Sequence, residues 1–301
     1  MGEERGSEGR RPKSEGRRPF LPPTSGLPPP PFSAMHPRAA DMTFRANWQL
    51  PQGVERATWE YVETPRIAEQ YDDFFALNRL FQFDEEVVSR YAQPGKTLVD
   101  LGSGTGRALI PQVRRGLHGV AVDLSQSMLE IARDKAQAEH LEIKYVRANL
   151  VELDCIASDC FDLAVCLFST LGMIKGHENR QRMLRHSRRI LKHDGVFILH
   201  VHNFWFNLVD PLGLRWLLHN LHRSAIDPQV ELGDKYFLYR GITNMFLHVF
   251  TRGEITRELR RAGFRLHEVI PLATSRQRQL RWPWLLGRLR ANGWILVCRC
   301  R

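Results

Sequence analysis

Asp100 is followed at two-residue steps by Gly102, Gly104 and Gly106, in the string Asp-Leu-Gly-Ser-Gly-Thr-Gly. Glycine has no side chain, so such a run lets the backbone turn sharply and leaves room for a ligand to lie against it. A dinucleotide loop would need its third glycine at position 107, which is arginine. A phosphate-cradling loop would need Lys-Ser or Lys-Thr after the glycines, and neither follows. What stands here is a carboxylate two residues ahead of the first glycine. It would repel a phosphate and attract an ammonium group. Asp123, closing the next apolar run, is placed to accept hydrogen bonds from two ribose hydroxyls. The set calls for a ligand with an amine, a ribose and no pyrophosphate.

These residues need elements to hold them. Short apolar runs at 97–101, 119–122, 143–146, 163–168 and 196–201 are separated by segments long enough for helices. Runs that are apolar on both faces suit a parallel sheet covered on each side. The alternation predicts βαβ units and a doubly wound α/β fold with right-handed crossovers. The glycine loop then leaves the carboxyl end of a strand and opens a helix at 107–110, whose free N–H groups would face the ligand crevice. Ahead of the first strand, 56–91 has helical spacing, with Ile67, Tyr71, Phe74 and Phe75 on one face.

Several strings in order resemble the class I S-adenosylmethionine (SAM)-dependent methyltransferases, in their type 11/25-like branch. VDLGSGTG resembles the first motif and AVDLSQSMLEIAR the acidic end of the second strand with its helix. ANLVEL, FDLAVCLFSTLG and RILKHDGVFILHVHN resemble the adenine turn, the fourth strand with its exit, and the unit around the fifth strand. EITRELRRAGFRLHEVI and NGWILVCRC resemble the last helix and the final two strands, so the likeness runs over about residues 65–300. It implies a seven-stranded, mostly parallel sheet with an antiparallel last strand, and SAM as cofactor. It also implies that Gly102, Ser103 and Gly104 face the cofactor, with Asp100 at its methionine end and Asp123 on its ribose. Leu124 and Leu150 would pack on adenine. Asn149 stands where the family commonly has aspartate, and would accept from the adenine amino group through its carbonyl oxygen. Leu167 and Phe168 would lie beside the sulfonium.

No catalytic motif follows. The exit of the fourth strand lacks the Pro-Pro signature of amino-group methylases, no Pro-Cys nucleophile is present, and Cys166 reads as core. His200 and His202 end the fifth strand and are read as alternating, one to each face, with one a candidate base at the rim. The plainer reading is a hydrogen-bonded rim histidine without a catalytic task. Tyr71 matches the position of a lid tyrosine, or is a core aromatic on an amphipathic helix. No metal site is evident. The segment 204–250, rich in aromatics and arginine, is expected to cover the substrate.

Composition bounds the rest. Residues 1–46 hold nine of the seventeen prolines and read as a disordered leader before a methyltransferase domain at 47–301, with Met1, Met35 or Met42 as the start. The net charge of +10 is uneven, since 252–301 carries twelve arginines against three glutamates. Five cysteines without a CxxC pair suit a reduced, cytoplasmic setting. No run is long and apolar enough to span a membrane, so no membrane partner is expected. The main functional reading is methyl transfer to a small-molecule acceptor at O, N or C. The runner-up has RNA, tRNA included, held by the Arg-rich C-terminal region. A third is a SAM-binding protein without turnover. Oligomeric state is left open.

Overall fold

The computed structural model describes residues 46–75, 80–209 and 211–300, which fall in the unit His36–Arg301. The expected leader lies outside the described residues except for Ala46. The helical stretch ahead of the sheet resolves into α1 (Arg56–Glu63), α2 (Pro65–Glu69), α3 (Tyr71–Phe75) and α4 (Leu80–Ser89). The break at Pro65 follows from chemistry: proline lacks the N–H that would continue α1 and sits instead at the start of α2.

The sheet begins with β1 (Thr97–Leu101), followed by α5 (Leu109–Arg114), β2 (His118–Asp123), α6 (Gln126–Ala138) and β3 (Ile143–Arg147). It continues through β4 (Phe161–Cys166), α7 (His177–Ile190) and β5 (Leu191–His202). After an insertion come α9 (Arg252–Arg261), β8 (Phe264–Pro271), α10 (Gly287–Arg290) and β9 (Gly293–Cys300); the insertion supplies α8 (Pro211–Ile226), β6 (Asp234–Tyr239) and β7 (Ile242–His248). The seven strands run β3-β2-β1-β4-β5-β9-β8, with β9 antiparallel to both neighbours, and β6–β7 form a separate hairpin. This is the doubly wound, mostly parallel sheet with an antiparallel last strand that the sequence predicts.

Burial follows the two-residue period of strands. Leu98, Val165 and Ile198 face one apolar layer with α4 and α5. Val99, Ala164, Phe197 and Leu199 face the other, with α7 and α9. The fourth apolar run is shorter than expected. β4 stops at Cys166, and Phe168 and Ser169 take left-handed φ values of 58° and 63° before a 3-10 turn at Thr170–Met173. Leu167 and Phe168 therefore project from a sharp turn rather than from the strand.

The chain leaves the sheet at Asn203 and returns at Phe250, and the two ends are stitched together. The Phe204 N–H donates to the Phe250 carbonyl at 2.8 Å, and the Phe250 N–H donates to the His202 carbonyl at 2.9 Å. The insertion does not act as one cover. Its hairpin packs on α1, with Ile242 and Met245 against Ala57, Ile67 and Met128. Its helix α8 packs on the 3-10 turn Phe204–Val209. No described helix is long and apolar enough to cross a membrane.

Candidate active site

Asp123 ends β2 and is held by backbone amides. Its Oδ2 accepts from the Gly104 N–H and its Oδ1 from the Ser125 N–H, both at 2.8 Å. Each oxygen keeps a lone pair for a ligand hydroxyl. Burial pushes this carboxyl up, while the amides of Ser125, Gly104 and Leu124 pull it back toward the ionised form. The Gly102 and Ser103 N–H groups both donate to the Val122 carbonyl, at 2.8 and 3.1 Å, which pins the loop to β2. Gly102 has φ +82°, and a Cβ there would fall 2.5 Å from Thr170 Cγ2. Gly104 has φ +52°, and a Cβ there would meet only open space. The backbone is thus bare at Gly104, beside Asp123.

Asp100 is buried and pushed up to about 8, first by burial and then by the neighbouring Asp123. A buried carboxyl beside a half-buried one makes a place that would attract a positive charge. One element differs. α5 starts only at Leu109, and the Gly106 N–H is spent on the Ser103 carbonyl at 3.0 Å. The cradle is a tight turn, not a helix N-terminus. Asn149 also differs in its commitments: its Nδ2 donates to the Gln52 carbonyl and to Glu152, and its Oδ1 accepts from the Val151 N–H at 3.2 Å. Its amide is already engaged in shaping the turn after β3, and only a second lone pair on Oδ1 is left for a ligand. Leu150 is buried with Val122 and Val151 in the core layer.

The helices before the sheet close over this cradle. Asp72 accepts from Thr105 Oγ1 and from Lys135 Nζ, each at 2.8 Å, and Lys135 also donates to the Thr105 carbonyl at 2.7 Å. Ser125 Oγ donates to the Val62 carbonyl at 2.6 Å, tying α1 to the loop after β2. Arg240, at the tip of the hairpin, donates to the Ile67 carbonyl at 2.9 Å. Tyr71 lies half-buried between these elements. Burial raises its hydroxyl, and Tyr239 and Asp123 add to the effect; Tyr61 responds in the same way. Tyr71 thus reaches the neighbourhood of Asp123 while also packing against Phe75.

Beyond Phe168 lies a second polar neighbourhood. Residues two apart on a strand share a face. Accordingly, His200 and His202 lie on one side of β5 with ring centres 5.4 Å apart, which corrects the reading of one to each face. His200 is also not at the rim: it is fully buried, neither ring nitrogen has a hydrogen-bond partner among the described residues, and burial drives its pKa well down. Burial and then Arg276 lower His202 to about 3. Phe168 packs edge-on to His200 and to Phe75, and the Arg276 guanidinium lies 6.0 Å from the Phe168 ring centre. Asp84 of α4 is buried, neither oxygen has a hydrogen-bond partner among the described residues, and burial raises it to about 7, which Arg276 partly offsets.

The comparisons fit this geometry. Residues 98–195 match the family model described as a methyltransferase domain. That stretch resembles the class I SAM-dependent methyltransferases, whose seven-stranded fold the whole sheet shares. A ubiquinone/menaquinone biosynthesis C-methyltransferase of Vibrio campbellii is 30% identical over 137 residues, covering 44% of this chain and 50% of that one. A carboxy-S-adenosyl-L-methionine synthase of Nautilia profundicola is 25% identical over 142 residues, covering 44% and 58%. A solved SAM-dependent methyltransferase from Methanosarcina mazei shares the fold at TM-score 0.57 and 19% identity, covering 71% of this chain and 96% of that one. The chain spans about half the length of the curated relatives it matches. The methyltransferase cofactor, SAM, suits the residues present, because Asp100 offers buried negative charge to its cationic end and Asp123 offers free lone pairs to its ribose.

Asp72, Lys135, Asp84 and Arg276 were not apparent from motifs. Asp84 carried a signal, since it takes an apolar position of α4, four residues after Leu80 and three before Val87. Among the described residues one group, Glu231, Asp234 and His248, brings potential metal-ligand atoms within 4.8 Å of one another. Its atoms are already spent: His248 bonds Asp234 and Glu254, each at 2.8 Å, and Arg180 pairs with Glu231.

Proposed function

We propose that the domain at 47–301 transfers the methyl group of SAM to a small-molecule acceptor seated beyond Phe168. The observation that carries this reading is the set of orphaned polar atoms there. Both nitrogens of His200 and both oxygens of Asp84 are buried without hydrogen-bond partners among the described residues. Buried polar groups are almost always satisfied, so unsatisfied ones beside aromatic walls suit a ligand that brings the missing hydrogen bonds. Bound SAM supplies an activated methyl group, and the protein mainly has to align an acceptor with it and exclude water.

On this reading Asp100 takes the methionine ammonium, Asp123 the ribose hydroxyls, and Gly102, Ser103 and Gly104 the cofactor backbone. Leu124 and Leu150 line the adenine side and Leu167 the sulfonium side. Phe168 and Tyr239 wall the acceptor. His200, neutral because it is buried, accepts a hydrogen bond from an acceptor O–H or N–H; His202 stands behind it. Tyr71 closes the cofactor side from α3. Five unpaired cysteines suit a cytoplasmic setting for this enzyme.

The deciding experiment is transfer from tritiated SAM into a cell extract separated into small-molecule, RNA and protein fractions. Label is expected in the small-molecule fraction and is expected to vanish with His200→Ala. Label confined to RNA would overturn the reading.

A further inference from the structure

A spanning run is one way to meet a membrane; lying on its surface needs none. Helix α8 buries Gly213, Leu217 and Asn220 and turns Leu214, Leu218 and Leu221 to solvent. At steps of four and three these leucines form one stripe on the helix, and Leu218 is 60% exposed. Leu208 and Val209, on the 3-10 turn that supports α8, are exposed as well. Helix α10 packs on that same turn, and Asn203 Nδ2 donates to the Arg288 carbonyl at 2.8 Å. The loop leading into α10 carries Trp282 and Leu285 exposed, Trp284 80% exposed and Leu286 62% exposed. Isolated exposed leucines need no explanation, but a run of aliphatic and indole groups on adjoining elements does.

Charge indicates what covers it. Arg278, Arg281 and Arg288 are exposed around the tryptophans, and Arg215 flanks the leucine stripe, while Arg223 is paired with Asp227 just past the helix. Helix α8 contains no acidic residue, and none follows Glu268 in the chain. Trp205, Trp284, Leu286 and Pro271 line a cavity of about 560 Å³ that Arg252 and Arg288 also line. An apolar slot beside guanidinium groups suits an acyl chain under an anionic headgroup. A second copy of this chain is a poor match, because a two-fold contact would set these arginines against each other. RNA would use the arginines and tryptophans but leaves aliphatic leucines without a task.

We infer that the edge formed by α8, the turn Phe204–Val209 and the loop before α10 docks on the surface of an anionic lipid bilayer. The indoles sit at headgroup level, the leucines reach the acyl boundary and the arginines pair with lipid phosphates. This docking is independent of methyl transfer.

The test is flotation of the full chain with phosphatidylcholine vesicles, with and without phosphatidylglycerol. Binding is expected only with the anionic lipid and should weaken as salt rises. The double variant Trp282→Ala/Trp284→Ala, and separately Leu218→Glu, should each lower vesicle partition by about tenfold or more. All three side chains point to solvent, so SAM affinity and melting temperature should stay unchanged and mark the variants as folded. Absence of flotation overturns the inference, as does equal flotation of the folded variants. It is equally overturned if vesicles fail while a single-stranded RNA oligonucleotide binds, or if Leu218→Glu abolishes a dimer without affecting flotation.

Discussion

At the scale of single residues, the proposed grip on the cofactor rests on two carboxyls. Asp123 is aimed by the Gly104 and Ser125 amides, and its remaining lone pairs are those a ribose would use. Asp123→Ala should weaken SAM binding by about tenfold to a hundredfold, since hydrogen bonds to a charged group contribute roughly 1.5–3 kcal/mol each. Titration calorimetry reads this directly, and unchanged affinity would remove Asp123 from the site. Asp100, raised to about 8 in the free protein, must lose its proton to serve a cation. SAM affinity should therefore rise with pH up to about 8, by at most about tenfold per unit, and flatten in Asp100→Asn. The same shift makes the free domain lose stability as pH rises from the ordinary carboxyl range toward 8, because the folded state binds the extra proton. Glycine spacing and the acid closing β2 made this half of the site legible. Asp84, His200 and Arg276 were less so, because they come from α4, β5 and the loop after β8 and acquire meaning only when the chain brings them together.

Elements carry the next set of consequences. Gly102 is tolerable only as glycine: its φ is +82° and its missing Cβ would strike Thr170. Gly102→Ala should cost about 1–3 kcal/mol in a denaturant melt and weaken SAM binding along with it. α3 is clamped on the glycine loop through Asp72 and Lys135, both partly solvent-exposed, and the buried Thr105. Asp72→Ala should release that clamp and speed SAM dissociation by about fivefold, in line with about 1 kcal/mol for a half-exposed ion pair. Stopped-flow release of SAM checks it, and an unchanged rate would make α3 a fixed wall. β1, β2, β4 and β5 were legible because burial in the middle of the sheet leaves unbroken apolar runs, whereas β3 lies at the edge with no buried residue. The ends were not: Phe168 belongs to a left-handed turn that apolarity cannot signal, and the helical spacing at 56–91 hid the break that Pro65 imposes.

At the scale of the whole molecule, the insertion divides between two places on the sheet. The hairpin leans on α1 and α2 over the cofactor side, while α8 turns away from it, so 204–250 divides its labour in a way its composition alone did not reveal. One buried group joins the hairpin to α9. His248 lies between Asp234 and Glu254, close to Arg180. Burial alone would lower it, but its two carboxylate partners outweigh burial and Arg180 and hold it above the ordinary 6.5. A raised base stabilises the fold below its unfolded value and loses that contribution as pH rises through its folded value. Melting temperature should therefore fall as pH climbs past 6.5, and His248→Gln should be less stable and lack that part of the slope. The stitch between Phe204 and Phe250 has a longer reach. Since the insertion leaves and re-enters at a single hydrogen-bonded point, a change in its length need not part the strands beneath it. An exchanged cassette would have to keep only the hairpin's contacts with α1 and α2 for the glycine loop to stay as it is, which leaves α8 as the freer half.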